Sequence, residues 1–315
     1  MRPRKIGTRG SALALWQART VAARLHERGT PAEIVVIRTG GDRLQDAPLS
    51  ELGGKGLFVK ELEDALLAGD IDLAVHSAKD MSAMLPDGLT IGAALPREDP
   101  RDALVLARGT TVVDFEAALA HIGEMPVIAT GSIRRIAQLT AVLPHARFTP
   151  IRGNVDTRLR KLDAGEYEAL ILAAAGLRRL GLETRISAAI PLDVCIPSPG
   201  QGIVAVEIRD DDRGTRDVVV PITNAEAAAS LTAERAVVTA LGGGCQLPLG
   251  AIALHVPQGL SLQAVVVWPD GRQAIRRSAV GSIENAAALG TGLADELVAG
   301  GAGEILAAVR SGVTP

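Results

Sequence analysis

Aromatic side chains are scarce in this sequence: two Trp, one Tyr and three Phe among 315 residues. Proteins that grip single-stranded nucleic acid stack its bases on such rings, so that class is excluded. The core must then be aliphatic and rich in alanine. Cysteine is scarcer still, with only Cys195 and Cys245. A chain of this length buries ample core without a disulfide staple, and this usage suits a reducing cytoplasm. Neither thiol stands at a metal-ligand spacing and the five His are scattered, so no metal is expected. No apolar run approaches the ~20 residues that cross a bilayer. The basic start, Met1-Arg-Pro-Arg-Lys5, has no apolar signal core behind it. A net charge of −3 gives no general pull toward nucleic acid or anionic lipid. What remains is expected to be a cytoplasmic globular protein with a small-molecule partner, and any basic surface must be local.

What is present is order. Hydrophobic residues make up 47% and charged residues 22%, enough for two or three packed domains. Strand-like runs at Ile6–Thr8, Ile34–Ile37 and Ile71–Val75 alternate with helical patterns, the first capped by Ser11 and running to about Arg28. Such alternation predicts a parallel sheet with helices on both faces. In those sheets ligands bind beyond the carboxyl ends of the strands. Arg9, Ser11 and Gln17 fall at one such end, and His76-Ser-Ala-Lys79-Asp80 falls at another. Gly53-Gly-Lys55-Gly lacks the first glycine and the hydroxyl residue of a phosphate loop, and reads instead as a mobile loop carrying Lys55 beside a cleft.

Three later strands, Pro126–Thr130, Ala146–Ile151 and Ala169–Ala175, each run into arginine: Arg134 and Arg135, Arg152 and Arg158, Arg178 and Arg179. Ser132 caps the first of the helices that follow. Arginine in the first turn of a helix opposes the helix dipole, so an acidic ligand is expected to compensate it. The guanidinium fork binds carboxylates in pairs, which fits a ligand with several of them.

The remaining motif is a loop, Leu241-Gly-Gly-Gly-Cys245-Gln-Leu-Pro-Leu-Gly250, that ends a helical pattern beginning at Asn224. A lone cysteine is more often a small core hydrophobe, and Cys195 is read so. Glycines around Cys245 suit instead the close approach of something bulky. The thiol follows a helix C-terminus, where the dipole disfavours a thiolate. A site that reacts once and stays modified fits this better than one turning over each cycle. Beyond it, a hairpin is predicted at Ser261–Trp268 and Gln273–Arg277, then a helix over Asn285–Val309 broken around Gly300-Gly301.

The segments His76-Ser-Ala-Lys79-Asp80, Thr130-Gly-Ser-Ile-Arg-Arg135, Arg152-Gly-Asn154-Val-Asp-Thr-Arg158, Gly176-Leu-Arg-Arg-Leu180 and the Cys245 loop resemble the motifs of the porphobilinogen deaminase (hydroxymethylbilane synthase) family. That resemblance covers most of the chain. It implies an α/β fold of two periplasmic-binding-protein-like lobes joined by a hinged double crossover, plus a small C-terminal α+β domain carrying the cofactor cysteine. The boundaries expected are 1–98 with 199–218, 99–198, and 219–315. It implies head-to-tail joining of four porphobilinogens into linear hydroxymethylbilane with loss of four ammonias, primed by a dipyrromethane held as a thioether on Cys245. Asp80 is the catalytic carboxylate this implies. Lys79, Asp80, Ser132, Arg134 and Arg135 would hold the cofactor. Arg9, Ser11, Gln17, Lys55, Thr130, Arg152, Asn154, Arg158 and Arg179 would hold substrate. A monomer is expected. The family usually carries proline two residues after the aspartate, where this chain has Ser82. The alternative is a non-enzymatic bilobal binding protein for a small polycarboxylate, which accounts for two lobes and arginines but not for Lys79-Asp80 or the cysteine loop.

Overall fold

The structure, a computed structural model, describes residues 2–38, 59–243 and 247–312. Strands β1 (Arg4–Thr8), β2 (Ala32–Val36), β3 (Leu73–Ser77) and β4 (Leu89–Ala94) begin the first sheet. The chain then crosses to form β5 (Asp102–Val105), β6 (Val127–Ala129), β7 (Arg147–Thr149), β8 (Ala169–Ala173) and β9 (Ala188–Ala189). It crosses back as β10 (Val204–Arg209), which inserts into the first sheet.

The two sheets have the same order, β2-β1-β3-β10-β4 and β7-β6-β8-β5-β9. In each, one strand runs against its neighbours: β10 beside β3 and β4, and β5 beside β8 and β9. The sheets are therefore mixed, not purely parallel as the alternation predicts. The reason is topological, since the reversed strand in each lobe is the one that arrives from the other lobe.

Both sheets are covered on two faces. The helix Ala12–Glu27 puts Ala18, Val21 and Leu25 into a core with Ile6, Val75 and Val206, and Lys60–Leu67 packs Leu62 and Leu66 against Ala74 on the other face. In the second lobe, Ile133–Leu139 lies on one side, and Val155–Asp163 and Ala174–Arg179 on the other. A third sheet is an antiparallel meander, β11 (Leu249–Val256), β12 (Gly259–Val267) and β13 (Ala274–Gly281). Its cover is Ala225–Ala240 with two C-terminal helices, Ala286–Ala299 and Ala302–Arg310. The break between those two is Gly301, at φ 102°, as its sequence position suggests.

The third domain touches both lobes. Ala227 and Leu231 pack with Ala78 and Met81 of the first, while Ile252, Val265 and Val267 pack with Ala137 of the second. Fully buried Glu234 ties these parts together. Its carboxylate accepts from Arg97 Nη1 at 2.6 Å, from the Gly200 amide at 2.6 Å and from the Ala253 amide at 2.7 Å.

The two crossovers run side by side, with the Glu98 amide donating to Gly202 O at 3.0 Å. Gly202 has φ 87°, and a Cβ there would stand 2.3 Å from Glu98 O. Gly202→Ala is therefore expected to destabilise the protein by at least about 1–3 kcal/mol from backbone strain alone. Urea unfolding beside the parent checks this, and an unchanged midpoint at equal slope would contradict it.

Candidate active site

β3 is a buried run that ends at Ser77 and turns at once into a single tight helical turn, Ala78–Asp80. The Ala78 amide donates to Ile203 O of the returning crossover at 3.0 Å, which fixes the turn against the hinge. Asp80 is left exposed, and Lys79 is half-buried beside it. Lys79 Nζ donates to Gln201 Oε1 at 3.3 Å, and Gln201 Nε2 donates to Pro100 O at 2.7 Å and Asp102 Oδ1 at 2.9 Å. Both crossovers thus converge under Lys79.

Across the cleft stand the strand ends of the second lobe. Ser132 caps Ile133–Leu139 by accepting from the Arg135 amide at 3.5 Å. Asn154 caps Val155–Asp163 without using its side chain for the cap. Arg158 Nε donates to Gly153 O at 2.8 Å, and Arg179 Nη2 donates to Gly202 O at 2.6 Å. The cleft between the lobes has a volume of about 440 Å³, and Arg9, Ser11, Lys79, Asp80, Ser132, Arg135, Arg152, Asn154, Arg158 and Arg179 line it.

Several of these cations are held at a cost. Burial, with Arg135 and Arg134 nearby, brings the Lys79 ammonium down to about 8 against the pull of Asp80. Burial lowers Arg179 to about 10, and burial together with Arg135 lowers Arg158. Cations desolvated beside one another are relieved by anions, so the electrostatics of the cleft ask for a ligand with carboxylates. Above about pH 8 Lys79 is neutral, and below it charged. Binding of a carboxylate ligand is therefore expected to weaken as pH rises from 7 to 9, because the bound carboxylate favours the protonated form. The KM of an acidic substrate measured across that range checks it, with Lys79→Gln expected to show a flatter dependence.

Arg134 and Arg135 sit around one buried acid. Asp102 Oδ2 accepts from Arg134 Nη1 at 2.8 Å, and Oδ1 accepts from Arg135 Nη2 at 2.7 Å and Nε at 3.0 Å. Burial would raise the Asp102 carboxyl, but the two guanidinium groups outweigh it and hold it well below the usual carboxylate range. Arg134 Nη1 also donates to Ile196 O at 2.8 Å and to Cys195 Sγ at 3.3 Å. Burial first of all pushes the Cys195 thiol up to about 12. That thiol is an inert packing group, as its sequence context suggests.

A second, smaller chamber of about 60 Å³ lies behind Lys79 and Ser132, with Arg134, Arg235, Val238 and Leu247 on its walls. Leu247 and Gly243 are the described ends of the cysteine loop. Gly243 N donates to Val238 O at 2.8 Å and Gly242 stands at φ 61°, so the helix closes with a left-handed glycine. Arg310 Nη2 donates to Gly242 O at 2.9 Å and supports the same end. Cys245 and Lys55 lie outside the described residues.

Three candidates do not line the cleft itself: Arg134, held on Asp102 beside the smaller chamber, and Gln17 and Thr130. Gln17 is buried and donates Nε2 to Ser77 Oγ at 2.7 Å, behind the turn that bears Lys79. Thr130 is buried, its Oγ1 accepting from the Ser132 amide at 3.3 Å. Sequence reasoning missed Asp102 and Gln201. An aspartate immediately before the apolar run Ala103–Leu106 was a signal for the first, since burial at a strand start demands a cationic partner.

Residues 5–217 match the porphobilinogen deaminase dipyromethane cofactor binding domain, and residues 228–299 match the porphobilinogen deaminase C-terminal domain. The chain belongs to the porphobilinogen deaminase family. Porphobilinogen deaminases of two strains of Acidithiobacillus ferrooxidans are each 47% identical to it over 310 residues, 98% of either chain. Among solved structures it is similar to a second substrate binding domain of a putative amino acid ABC transporter from Streptococcus pneumoniae, with a TM-score of 0.44 at 10% identity over 70% of this chain and 91% of that one. A Bordetella pertussis BvgS VFT2 domain gives 0.41 at 17% identity over 72% and 90%. The chain is thus an enzyme of tetrapyrrole biosynthesis that polymerises porphobilinogen into hydroxymethylbilane and uses a dipyrromethane cofactor. That sets aside a binding protein without activity. Among the described residues no helix is long and apolar enough to cross a membrane, and no cluster of metal-ligating side chains occurs.

Proposed function

We propose that the cleft between the lobes is where the pyrrole chain grows, with Asp80 as the catalytic carboxylate and Cys245 as the point of cofactor attachment. The observation that carries this is the placement of Asp80, an exposed carboxylate beside Lys79 at the end of β3, in a cleft lined by more cations than acids, Asp156 being the other carboxylate among its described lining residues. When bound, dipyrromethane supplies the terminal pyrrole carbon to which each new unit is joined. Asp80 stabilises the positive charge that develops on porphobilinogen as its ammonia leaves, and holds pyrrole N–H groups. Lys79, Ser132 and Arg135 take carboxylates near the smaller chamber, and Arg134 closes that chamber's wall. Arg9, Ser11, Arg152, Asn154, Arg158 and Arg179 take those of substrate and of the growing chain. Gln17 and Thr130 act behind them, orienting Ser77 and Ser132. Lys55, the remaining expected substrate contact, lies outside the described residues.

Holding the product covalently keeps each addition effectively intramolecular. The lobes divide at 1–98 with 199–218 and at 99–198, with 219–315 as the attachment domain. The enzyme works as a monomer in the cytoplasm, in line with the sparing use of cysteine.

Intact mass tests the reading. Protein made in a cell that synthesises porphobilinogen is expected to exceed its sequence mass by two linked pyrrole units, and Cys245→Ser is expected to lose that excess. If the parent stays unmodified after porphobilinogen is added, Cys245 is not the attachment point.

A further inference from the structure

Arg179 belongs to the second lobe, yet what holds it comes from elsewhere. Its Nη2 donates to Gly202 O of the hinge at 2.6 Å. Its guanidinium carbon lies 5.5 Å from the ring centroid of Trp16, on the helix Ala12–Glu27 of the first lobe. That distance is within the range of a cation–π contact. The backbone beside it closes the same seam, since the Cβ position of Gly176 is 3.7 Å from Leu13 Cδ2. Among the described residues no carboxylate forms an ion pair with Arg179 within 4.0 Å; burial weighs against its charge, and Glu98 supports it only at longer range.

Both supports are therefore neutral. A carbonyl and an indole face fix the plane and direction of a guanidinium without cancelling its charge. A carboxylate partner would have fixed it equally well and competed with any acidic ligand. Trp16 is 36% exposed, three and four residues along its helix from Leu13 and Ala12, which line the cleft, in a chain with only two Trp. Packing a core does not explain a tryptophan there, and orienting Arg179 does.

We propose that Trp16 is a positioning residue for substrate: it is the platform in the first lobe that aims Arg179 of the second lobe at a substrate carboxylate. This rests on Arg179 contacting substrate as set out above. It adds that the substrate site is assembled across both lobes, so that separating the lobes takes Arg179 off its platform.

The test is a KM-against-kcat comparison of Trp16→Leu, Trp16→Phe, Arg179→Ala and the double variant Trp16→Leu with Arg179→Ala. Thermal melting and the intact mass of the loaded protein are read on the same samples. Loss of a partly desolvated cation–π contact predicts that Trp16→Leu raises porphobilinogen KM by roughly 3–30-fold. Its kcat, melting temperature and cofactor mass are expected to stay at parent values, and Trp16→Phe to restore KM to within about threefold. In the double variant the Trp16 effect should vanish, because its only route is through Arg179. A parent-like KM for Trp16→Leu, or full additivity in the double variant, overturns the proposal while leaving Arg179 a substrate residue. A parent-like KM for Arg179→Ala overturns the underlying reading instead. A melting temperature or cofactor mass that falls with KM would make Trp16 a structural residue and also overturn the proposal.

Discussion

Asp80→Asn is expected to lower kcat by on the order of 10²–10³, the usual effect of deleting a charge placed where charge develops. The variant keeps the shape of the side chain and removes only its ionisation. The turn it occupies is fixed by backbone, through the Ala78 amide on Ile203 O, and not by the carboxylate. Folding and cofactor mass should therefore match the parent. A secondary effect follows from the same field. Asp80, ahead of Asp102, draws the Lys79 ammonium upward against burial. Without it Lys79 loses its proton at lower pH, so the alkaline rise in KM should move toward neutrality. Single-turnover and steady-state rates over pH 7 to 9 measure both effects. Near-parent kcat in a fully loaded variant would remove Asp80 from the chemistry.

Asp102→Ala is expected to have the largest effect on stability. It leaves two buried guanidinium groups without their shared counter-charge, and it strips an acceptor from Gln201 Nε2 and from the Cys195 thiol. Breaking a buried pair from one side costs about 3–5 kcal/mol. For a protein of 315 residues that lowers Tm by roughly 5–8 °C. The consequence extends to the cleft, because Asp102 holds the Nε and Nη2 edge of Arg135 in its lining position, and its removal leaves that guanidinium only Ile171 O, on Nη1. Poor cofactor loading is expected even at temperatures where the variant is folded. Asp102→Asn keeps the hydrogen-bond acceptor and should fall between the two. Differential scanning calorimetry and intact mass on the three proteins decide this; an Asp102→Ala variant that melts and loads like the parent would show that the arginines are held otherwise.

Much of the layout was legible in the sequence because it rests on local rules. β1, β3, β6, β8 and β10 are apolar runs long enough to be read alone, and the arginines after β6, β7 and β8 were placed by the strand-end rule. β4 was not read, because Gly92 interrupts it. That glycine is explained only by packing, since a Cβ there would come within 2.8 Å of Ile208 and 2.9 Å of Val219. The helices Lys60–Leu67 and Phe115–Ile122 were not legible, since eight residues give too few turns for a helical period to stand out. The reversal of β5 and β10 left no local trace, because strand direction depends on which lobe the chain has come from.

The sequence by itself determined the chemistry on offer: a carboxylate and an ammonium at one strand end, arginines at three others, and one thiol in a glycine loop. Residue type and position relative to a strand are enough for that, since both are local properties of the chain. Only the tertiary structure decided which of those groups share a space. It turned Gln17 and Thr130 away from the cleft, made Asp102 the common partner of Arg134 and Arg135, and set Arg179 on Trp16 from the opposite lobe. The partners in the two last cases are 32, 33 and 163 positions apart in the chain. No periodicity or propensity acts over such separations. Burial acts there instead, because a charge removed from water must be met by whatever group the fold brings beside it.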